Sequence, residues 1–563
     1  MSEPITTAPA PPEYEKTVDS NSLEKGGVHD YVVQTPPNGR DHHYNLDASE
    51  LDHVQRRLKQ RHVQMIAIAG TLGTGLFLGS GEALAKAGPL GSLIAYMLVG
   101  TVAYASLCAV GEMTSFAPIS GTFPHFAGRW VDPAFGFATG WNYFYTNAIS
   151  TPVEITAACI LLTFWDPDTS HQAAYTAVIC VCMCAINIFG VRYFGESEFV
   201  FSIVKITLIL LLIITGLVVD LGGGPDHQRI GFRYWKHPGP LAGAMLEPNH
   251  PSLDRFLGIL SVLIQAAFSF QGVELVAVAA SETESPRRNI AKAVRRVFWR
   301  ILIFYILGIL ITGMLVPYND PMLLSPDAGS TSTASPYVIA FTRAGIKVLP
   351  HIINACIFTS AFSAGNSFLF CSSRILYGLA LRGQAPKIFA YCTKNGLPIA
   401  AVLTTSCFSL LAFMNTSSGA TTVFNWFVNL STVGGFFGWL SINITYLFFY
   451  YGLRYQGYDR KEIFYHNRFQ PWLSIWGIGW LIFFILVNGF AVFWSFNASD
   501  FLTAYIGIPI FFGLYFFWKI FKRTTFWKLG EMDFVTGIPS MEETELPEVP
   551  PITIPQKIAA FLF

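Results

Sequence analysis

Ile68-Ala69-Gly70-Thr71-Leu72-Gly73-Thr74-Gly75-Leu76-Phe77-Leu78-Gly79-Ser80-Gly81 is the stretch on which the fold turns. It sits inside a long apolar run, yet it carries Gly70, Gly73, Gly75, Gly79 and Gly81. Each glycine weakens a helix by roughly 1 kcal/mol relative to alanine. Alone, the stretch has two readings: a face of small residues for close helix packing in a membrane, or a break in a membrane-spanning helix.

Working outward, apolar runs fall near 63–84, 90–116, 134–165, 172–190, 197–220, 256–280, 297–317, 349–379, 398–414, 421–450, 472–496 and 501–521. Most reach or exceed the roughly 20 residues that cross a bilayer as a helix. They are too long and too uniformly apolar for barrel strands. The third and eighth exceed a perpendicular crossing, so tilt or an extended end is expected. Composition agrees: 52% of the 563 residues are hydrophobic and 13% charged, against roughly 25% charged in soluble domains. The expected fold class is all-α integral membrane with twelve transmembrane helices. The lipid bilayer is therefore a partner, while 36 basic against 36 acidic residues point to no nucleic-acid partner.

The sixth run favours the break. Phe268-Ser269-Phe270-Gln271-Gly272-Val273-Glu274 again interrupts an apolar span with polar residues and a glycine. The two interruptions head spans one to five and six to ten, and broken first helices in two inverted repeats are a pattern of secondary transporters. There, amides at a half-helix N-terminus can hold a carboxylate, and freed carbonyls can hold a cation. An α-amino acid carries both groups.

Basic residues give the orientation. With the N-terminus inside, the inner loops hold sixteen Lys and Arg and the outer loops seven, so both termini are expected in the cytosol. Residues 1–55 read as a disordered cytosolic N-tail, 56–523 as the transporter domain and 524–563 as a cytosolic C-tail. Within the domain, repeat one covers about 63–220, repeat two about 256–450, and two extra helices about 472–521. The acidic, Pro-rich stretch 542–555 reads as solvated, unfolded chain. Lys16 and Lys25 are candidate ubiquitin sites, with ubiquitin-ligase adaptors as possible tail partners. No signal-peptide pattern opens the chain, so the first span is expected to direct insertion. The nine cysteines show no metal spacing.

Ionisable residues inside spans are costly and so are functional candidates. Glu154 lies in the third span, Lys205 in the fifth and Glu274 in the sixth-span break, while Glu112 closes the second span. Lys205 also reads as a side chain snorkelling to the headgroups beside Glu196 and Glu198. Glu154 and Glu274 also read as partners in interhelical hydrogen bonds.

An ordered set of motifs carries a resemblance. It comprises Gly73-Thr74-Gly75-Leu76-Phe77, Ala87-Gly88-Pro89, Gly111-Glu112 with Pro118, Gly140-Trp141-Asn142-Tyr143 and Gly195-Glu196-Ser197-Glu198-Phe199. Phe268 to Gly272, Ser281-Glu282-Thr283 before Pro286-Arg287, Ser372 to Tyr377, and Met532-Asp533-Phe534-Val535-Thr536-Gly537 follow. From about residue 52 to 537 the chain resembles the fungal (yeast-type) amino acid permeases of the amino acid–polyamine–organocation superfamily.

The resemblance implies ten core helices in a five-plus-five inverted repeat plus two C-terminal helices, in a plasma-membrane symporter importing L-α-amino acids with protons. No cofactor is implied beyond the proton as coupling ion. The implied substrate-binding set is Thr71, Gly73, Thr74, Gly75, Glu154, Phe268, Ser269, Phe270, Gln271 and Glu274. The substrate carboxylate would meet the amides of Thr74 and Gly75, its ammonium the carbonyls near Thr71, Phe268 and Gln271, and Phe268 would cover it. Lys205 falls where relatives carry a lysine in place of a sodium ion, and with Glu154 forms the expected proton-coupling pair. Two departures, Ala69-Gly70 for a common double glycine and Val273 for a frequent threonine, bear on selectivity. Phe268 and Phe270 favour neutral, aliphatic or aromatic, side chains. The alternatives are an amino acid sensor of the same fold and a choline or polyamine permease. An enzyme is not expected, because no cluster of His, Cys or paired acids stands at one depth.

Overall fold

Backbone polar groups in a bilayer must be satisfied within the chain, and helices do this locally. The computed structural model describes residues 52–225, 227–324, 335–418, 420–545 and 547. Lys16, Lys25 and the N-tail up to residue 51 lie outside them. Regular structure among the described residues is helical apart from one bridge between Leu58 and Thr283.

The first span is in pieces: α1 (Gln60–Thr71), α2 (Thr74–Phe77) and the start of α3 (Gly79–Phe116). Helix α3 runs on into the second span, with a kink where Gly88 adopts φ 74° ahead of Pro89. Then follow α4 (Thr122–Trp130), α5 (Pro133–Leu162), α6 (Gln172–Ile188) and α7 (Val191–Asp220). The sixth span is α8 (Pro251–Phe270), interrupted and resumed as α9 (Leu275–Val278). Next come α10 (Pro286–Ile301), a π-helical turn at Leu302–Ile306 and α11 (Leu307–Leu315). The chain closes with α12 (Leu349–Leu381), α13 (Ile399–Ser409), α14 (Ala420–Tyr455), α15 (Trp472–Val487), α16 (Ala498–Tyr505) and α17 (Gly507–Lys522). Each apolar run read from the sequence coincides with one of these helices or a chain of pieces.

Six helices among the described residues are long and apolar enough to cross a membrane, or seven with the bent pair α16–α17 counted as one span. Helix α5 is outside that set although it has 30 residues. Its length is about 45 Å at 1.5 Å per residue, but Asn142, Asn147, Ser150, Thr151 and Glu154 lower its hydropathy. The reason is its position: α5 packs against α4, α12, α14 and α17 and is buried almost throughout. It faces protein where a peripheral helix faces lipid.

The chain ends differ from the sequence reading. Residues 52–58 are tied down: the Tyr377 hydroxyl donates to Asp52, and the Leu58 amide donates to the Glu282 carbonyl. Past α17 the chain folds back on the body. Arg129, buried on α4, donates to the Asp533 carboxylate (2.8 Å), the Asp533 carbonyl (2.6 Å) and the Thr536 carbonyl (2.6 Å). Phe534 inserts among Phe116, Trp130 and Phe449. A one-turn helix forms at Met541–Thr544, and Glu545 accepts from the Arg287 amide. Residues 542–545 are thus folded, a correction to the solvated tail expected there, because the Ser540 cap closes the turn and the Arg287 amide holds Glu545; residues 546 and 548–555 lie outside the described residues.

Candidate functional site

The two breaks meet. Helix α1 stops at Thr71, and Leu72 leaves helical geometry at φ −79°, ψ 80°. Helix α8 stops at Phe270, and Gly272 adopts φ 90°, a left-handed conformation that glycine tolerates best. A Cβ on Gly75 would lie 2.7 Å from the Ser269 Cα, and one on Gly272 would lie 2.7 Å from the Gly70 carbonyl oxygen. Backbone therefore crosses backbone at both ends of the junction, and side chains larger than hydrogen are excluded there.

Broken helices free polar groups, which must find partners when buried. The Tyr305 hydroxyl, carried on the π-helical turn, lies 2.5 Å from both the Thr71 and the Ser269 carbonyl oxygens. Ser360 on α12 donates to the Leu72 carbonyl (2.8 Å). The Gln271 side-chain amide donates to the Ser431 carbonyl (2.6 Å), and Ser269 shares a 3.0 Å hydrogen bond with Tyr96. Phe270 stacks on Tyr305 with ring centroids 4.3 Å apart. Phe268 instead packs with Ile149, Val153, Val423 and Phe427.

Glu154 of α5 reaches the first break. Its two carboxylate oxygens lie 3.1 and 3.0 Å from the Thr74 hydroxyl, which donates to them, and the Thr74 backbone amide also acts on it. A Cβ at Gly73 would stand 3.1 Å from one of these oxygens. The donor end expected to hold a substrate carboxylate thus holds one of the protein's own.

Lys205 is fully buried, at 0% exposure, and lies within electrostatic reach of Glu198 and Glu154. Snorkelling is thereby ruled out. Glu196 and Glu198, read together as interfacial markers, part company: the Glu196 side chain is 45% exposed and salt-bridged to Arg61, whereas Glu198 is at 0%. Glu198 accepts from Ser363 (2.6 Å) and Asn366 (2.7 Å) of α12. Glu274 follows the interhelical reading: Tyr143 of α5 donates to one oxygen (2.9 Å) and Trp439 of α14 to the other (3.0 Å). Glu112 is held by Arg460 and the Asn467 amide.

The structure gathers Thr71, Gly73, Thr74, Gly75, Ser269, Phe270 and Glu154 at one junction, with Lys205 within electrostatic reach of Glu154. Phe268, Gln271 and Glu274 are engaged with α5 and α14 beside it. The sequence reading does not single out Tyr305, Ser360, Ser363 or Asn366, and it takes Glu198 only as an interfacial neighbour of Lys205. For Glu198 a signal existed: it precedes Lys205 by seven residues, two turns on the same helix face.

A helical chain with several bilayer-length apolar helices and two broken helices crossing backbone to backbone defines a multi-pass membrane protein. Residues 62–530 match the amino acid permease family, and the chain belongs to it. It is 42% identical to a proline-specific permease of Emericella nidulans over 491 residues, 86% of this chain and 88% of the relative. It is also 42% identical to the proline-specific permease of Saccharomyces cerevisiae, over 88% of this chain and 80% of that one. The dicarboxylic amino acid permease of Saccharomyces cerevisiae is 38% identical, over 93% and 87%. The protein is an amino acid transporter, not an enzyme.

Proposed function

We propose that this permease imports L-α-amino acids with neutral side chains, coupled to protons, across the plasma membrane. In this reading it crosses the membrane twelve times, with a five-plus-five inverted core, two further helices and both termini in the cytosol. The observation that carries the proposal is the Glu154 carboxylate on the donors of Thr74, with buried Lys205 within electrostatic reach. A point that holds one carboxylate has the donors for another, and protonation of Glu154 weakens its hold on them. A substrate carboxylate then replaces Glu154 at Thr74 and Gly75, which ties substrate entry to proton uptake.

The other end of the site suits an ammonium. The Thr71 and Ser269 carbonyls converge on one hydroxyl, whose single proton serves both. Both lie near helix C-termini, where the helix dipole favours positive charge. Phe270 lies at the junction, stacked on Tyr305, and Phe268 packs beside it with Ile149 and Val153; these apolar neighbours support a neutral substrate side chain. Proline-specific permeases are among the relatives, so proline is the first neutral substrate to test. Identity alone does not choose, since a lysine-specific permease is 37% identical.

Uptake of labelled neutral L-amino acids in a permease-deficient fungal host tests the proposal, with a fluorescent fusion to follow location. Concentrative uptake with the protein at the cell surface is expected. Surface protein that binds amino acid without uptake would mark a sensor, and preferential uptake of choline or polyamines would mark the other alternative.

A further inference from the structure

We propose that Glu198 is the fixed counter-ion of Lys205, a positioning residue that leaves Glu154 as the carboxylate that takes up and releases the transported proton. The inference rests on the proton-coupled reading above and goes further by dividing the labour between two buried acids.

The assignment follows a chain of hydrogen bonds whose polarity is set by a backbone carbonyl. The Asn187 side-chain amide on α6 lies 3.1 Å from the Met183 carbonyl, which can only accept. The Asn187 nitrogen therefore faces Met183, and it also donates to the Asn366 side-chain oxygen at 2.7 Å. That orients Asn366 on α12, so that its nitrogen points at Glu198 Oε1, 2.7 Å away. Ser363, one turn earlier on α12, donates to Glu198 Oε2 at 2.6 Å. Both oxygens of Glu198 are thus acceptors for donors on a neighbouring helix. An ionised carboxylate only accepts, whereas a protonated one must also donate.

Glu154 is held differently. Both its oxygens face a single hydroxyl, on Thr74, supplemented by the Thr74 amide. It has acceptor capacity to spare: one oxygen can take a proton while the other keeps the Thr74 amide, because the Thr74 hydroxyl is free to turn.

Charge completes the argument. The charged groups acting on Lys205 are Glu198 from its own helix and Glu154 from α5; Lys205 is the charged group acting on Glu198; and Tyr305, from the π-helical turn, is also within reach of Glu154. With all three ionised, the buried cluster carries one uncompensated negative charge, which is expensive away from water. One proton cancels it. Glu198, with donors on both oxygens, stays the anion beside Lys205. Glu154 takes the proton from the outer aqueous side and gives it up to the inner side, and Lys205 stays charged throughout.

The test is the pH profile of uptake, read beside exchange of labelled for unlabelled substrate, which needs no net proton movement. In Glu198→Gln, Lys205 has Glu154 as its remaining counter-ion and holds it ionised on the Thr74 donors, so uptake and exchange both need a more acidic external pH than in the wild type. Glu198→Asp keeps the charge and restores the wild-type pH profile. A wild-type pH profile in Glu198→Gln overturns the assignment. Should that variant fail to reach the surface, Ser363→Ala carries the test, because it removes one donor and keeps the carboxylate. It is expected to shift the pH profile, and an unchanged profile overturns the proposal. Uptake by the wild type that ignores external pH would instead contradict the function proposed above.

Discussion

Gly75 and Ser269 belong to different broken helices, yet a Cβ on Gly75 would stand 2.7 Å from the Ser269 Cα and 2.9 Å from its amide nitrogen. Two interrupted helices can bring their free backbone groups to one place only if nothing but hydrogen separates them. The glycine pattern that opens the sequence therefore has a steric cause as well as a conformational one.

Gly75→Ala is expected to abolish uptake, because the added methyl meets backbone that cannot yield. Overpacking of this kind costs about 1–3 kcal/mol. Gly79→Ala is the control: the nearest atom to its new methyl would be the Gln265 Cβ at 4.0 Å, so uptake is expected to persist. Uptake and surface abundance of the two variants, measured side by side, check the contrast. Equal behaviour would contradict the packed junction.

Glu154→Gln and Lys205→Met are each expected to abolish concentrative uptake while the protein still reaches the surface. Glutamine keeps hydrogen-bonding capacity toward Thr74 but cannot carry the proton. Methionine keeps the length of Lys205 but leaves Glu198 and Glu154 without their shared cation. Surface biotinylation beside uptake checks both; loss of surface protein in both variants would assign these residues to folding alone.

Much of this architecture is legible in the sequence, and the parts that are not share a cause. Apolar runs and glycine breaks are local, so α1, α8 and their interruptions can be read along the chain. Burial of a polar residue depends on what lies across from it. Glu196 and Glu198 are two positions apart, yet one reaches solvent and the other faces α12, which residue type alone does not disclose. Tyr305 was hidden because a tyrosine in an apolar run looks like core, and only the π-helical turn aims its hydroxyl at both breaks. Asp533 and Phe534 read as tail because the residue that holds them, Arg129, stands about four hundred positions earlier in the chain.

The docked C-terminal segment gives a prediction outside the membrane. Burial alone would raise the Asp533 carboxyl, but Arg129, the Thr536 side chain and the amides of Val535 and Thr536 outweigh it and hold it below its ordinary value. A carboxyl depressed in the folded state contributes stability above its unfolded value, and that stability is lost as pH falls through the folded one. The segment should therefore stay docked through neutral and mildly acidic pH, and loosen only in strong acid. Arg129→Ala should release it at neutral pH, at a cost on the order of 1–3 kcal/mol for the unmade charged hydrogen bonds. Limited proteolysis of the purified full-length protein checks this. A segment equally resistant with and without Arg129 would contradict it.

Removing the α-carboxylate from a substrate should weaken competition sharply, since buried donors left unpaired cost roughly 1–3 kcal/mol each. Decarboxylated amines are thus expected to compete poorly with their parent amino acids. Lysine and glutamate are expected to compete less well than proline, leucine or phenylalanine. A competition panel against one labelled neutral substrate checks both statements. Amines that compete equally would remove the carboxylate from Thr74 and Gly75, whereas strong competition by lysine or glutamate would overturn only the neutral preference.

The central claim is that proton entry drives amino acid accumulation through Glu154 and Lys205. Its most direct test is accumulation of a labelled neutral L-amino acid in a permease-deficient fungal host, with external pH, sodium and a protonophore varied in turn. Accumulation that rises in acid, persists without sodium and collapses with the protonophore is the predicted result. Accumulation that needs sodium and survives the protonophore would contradict the account.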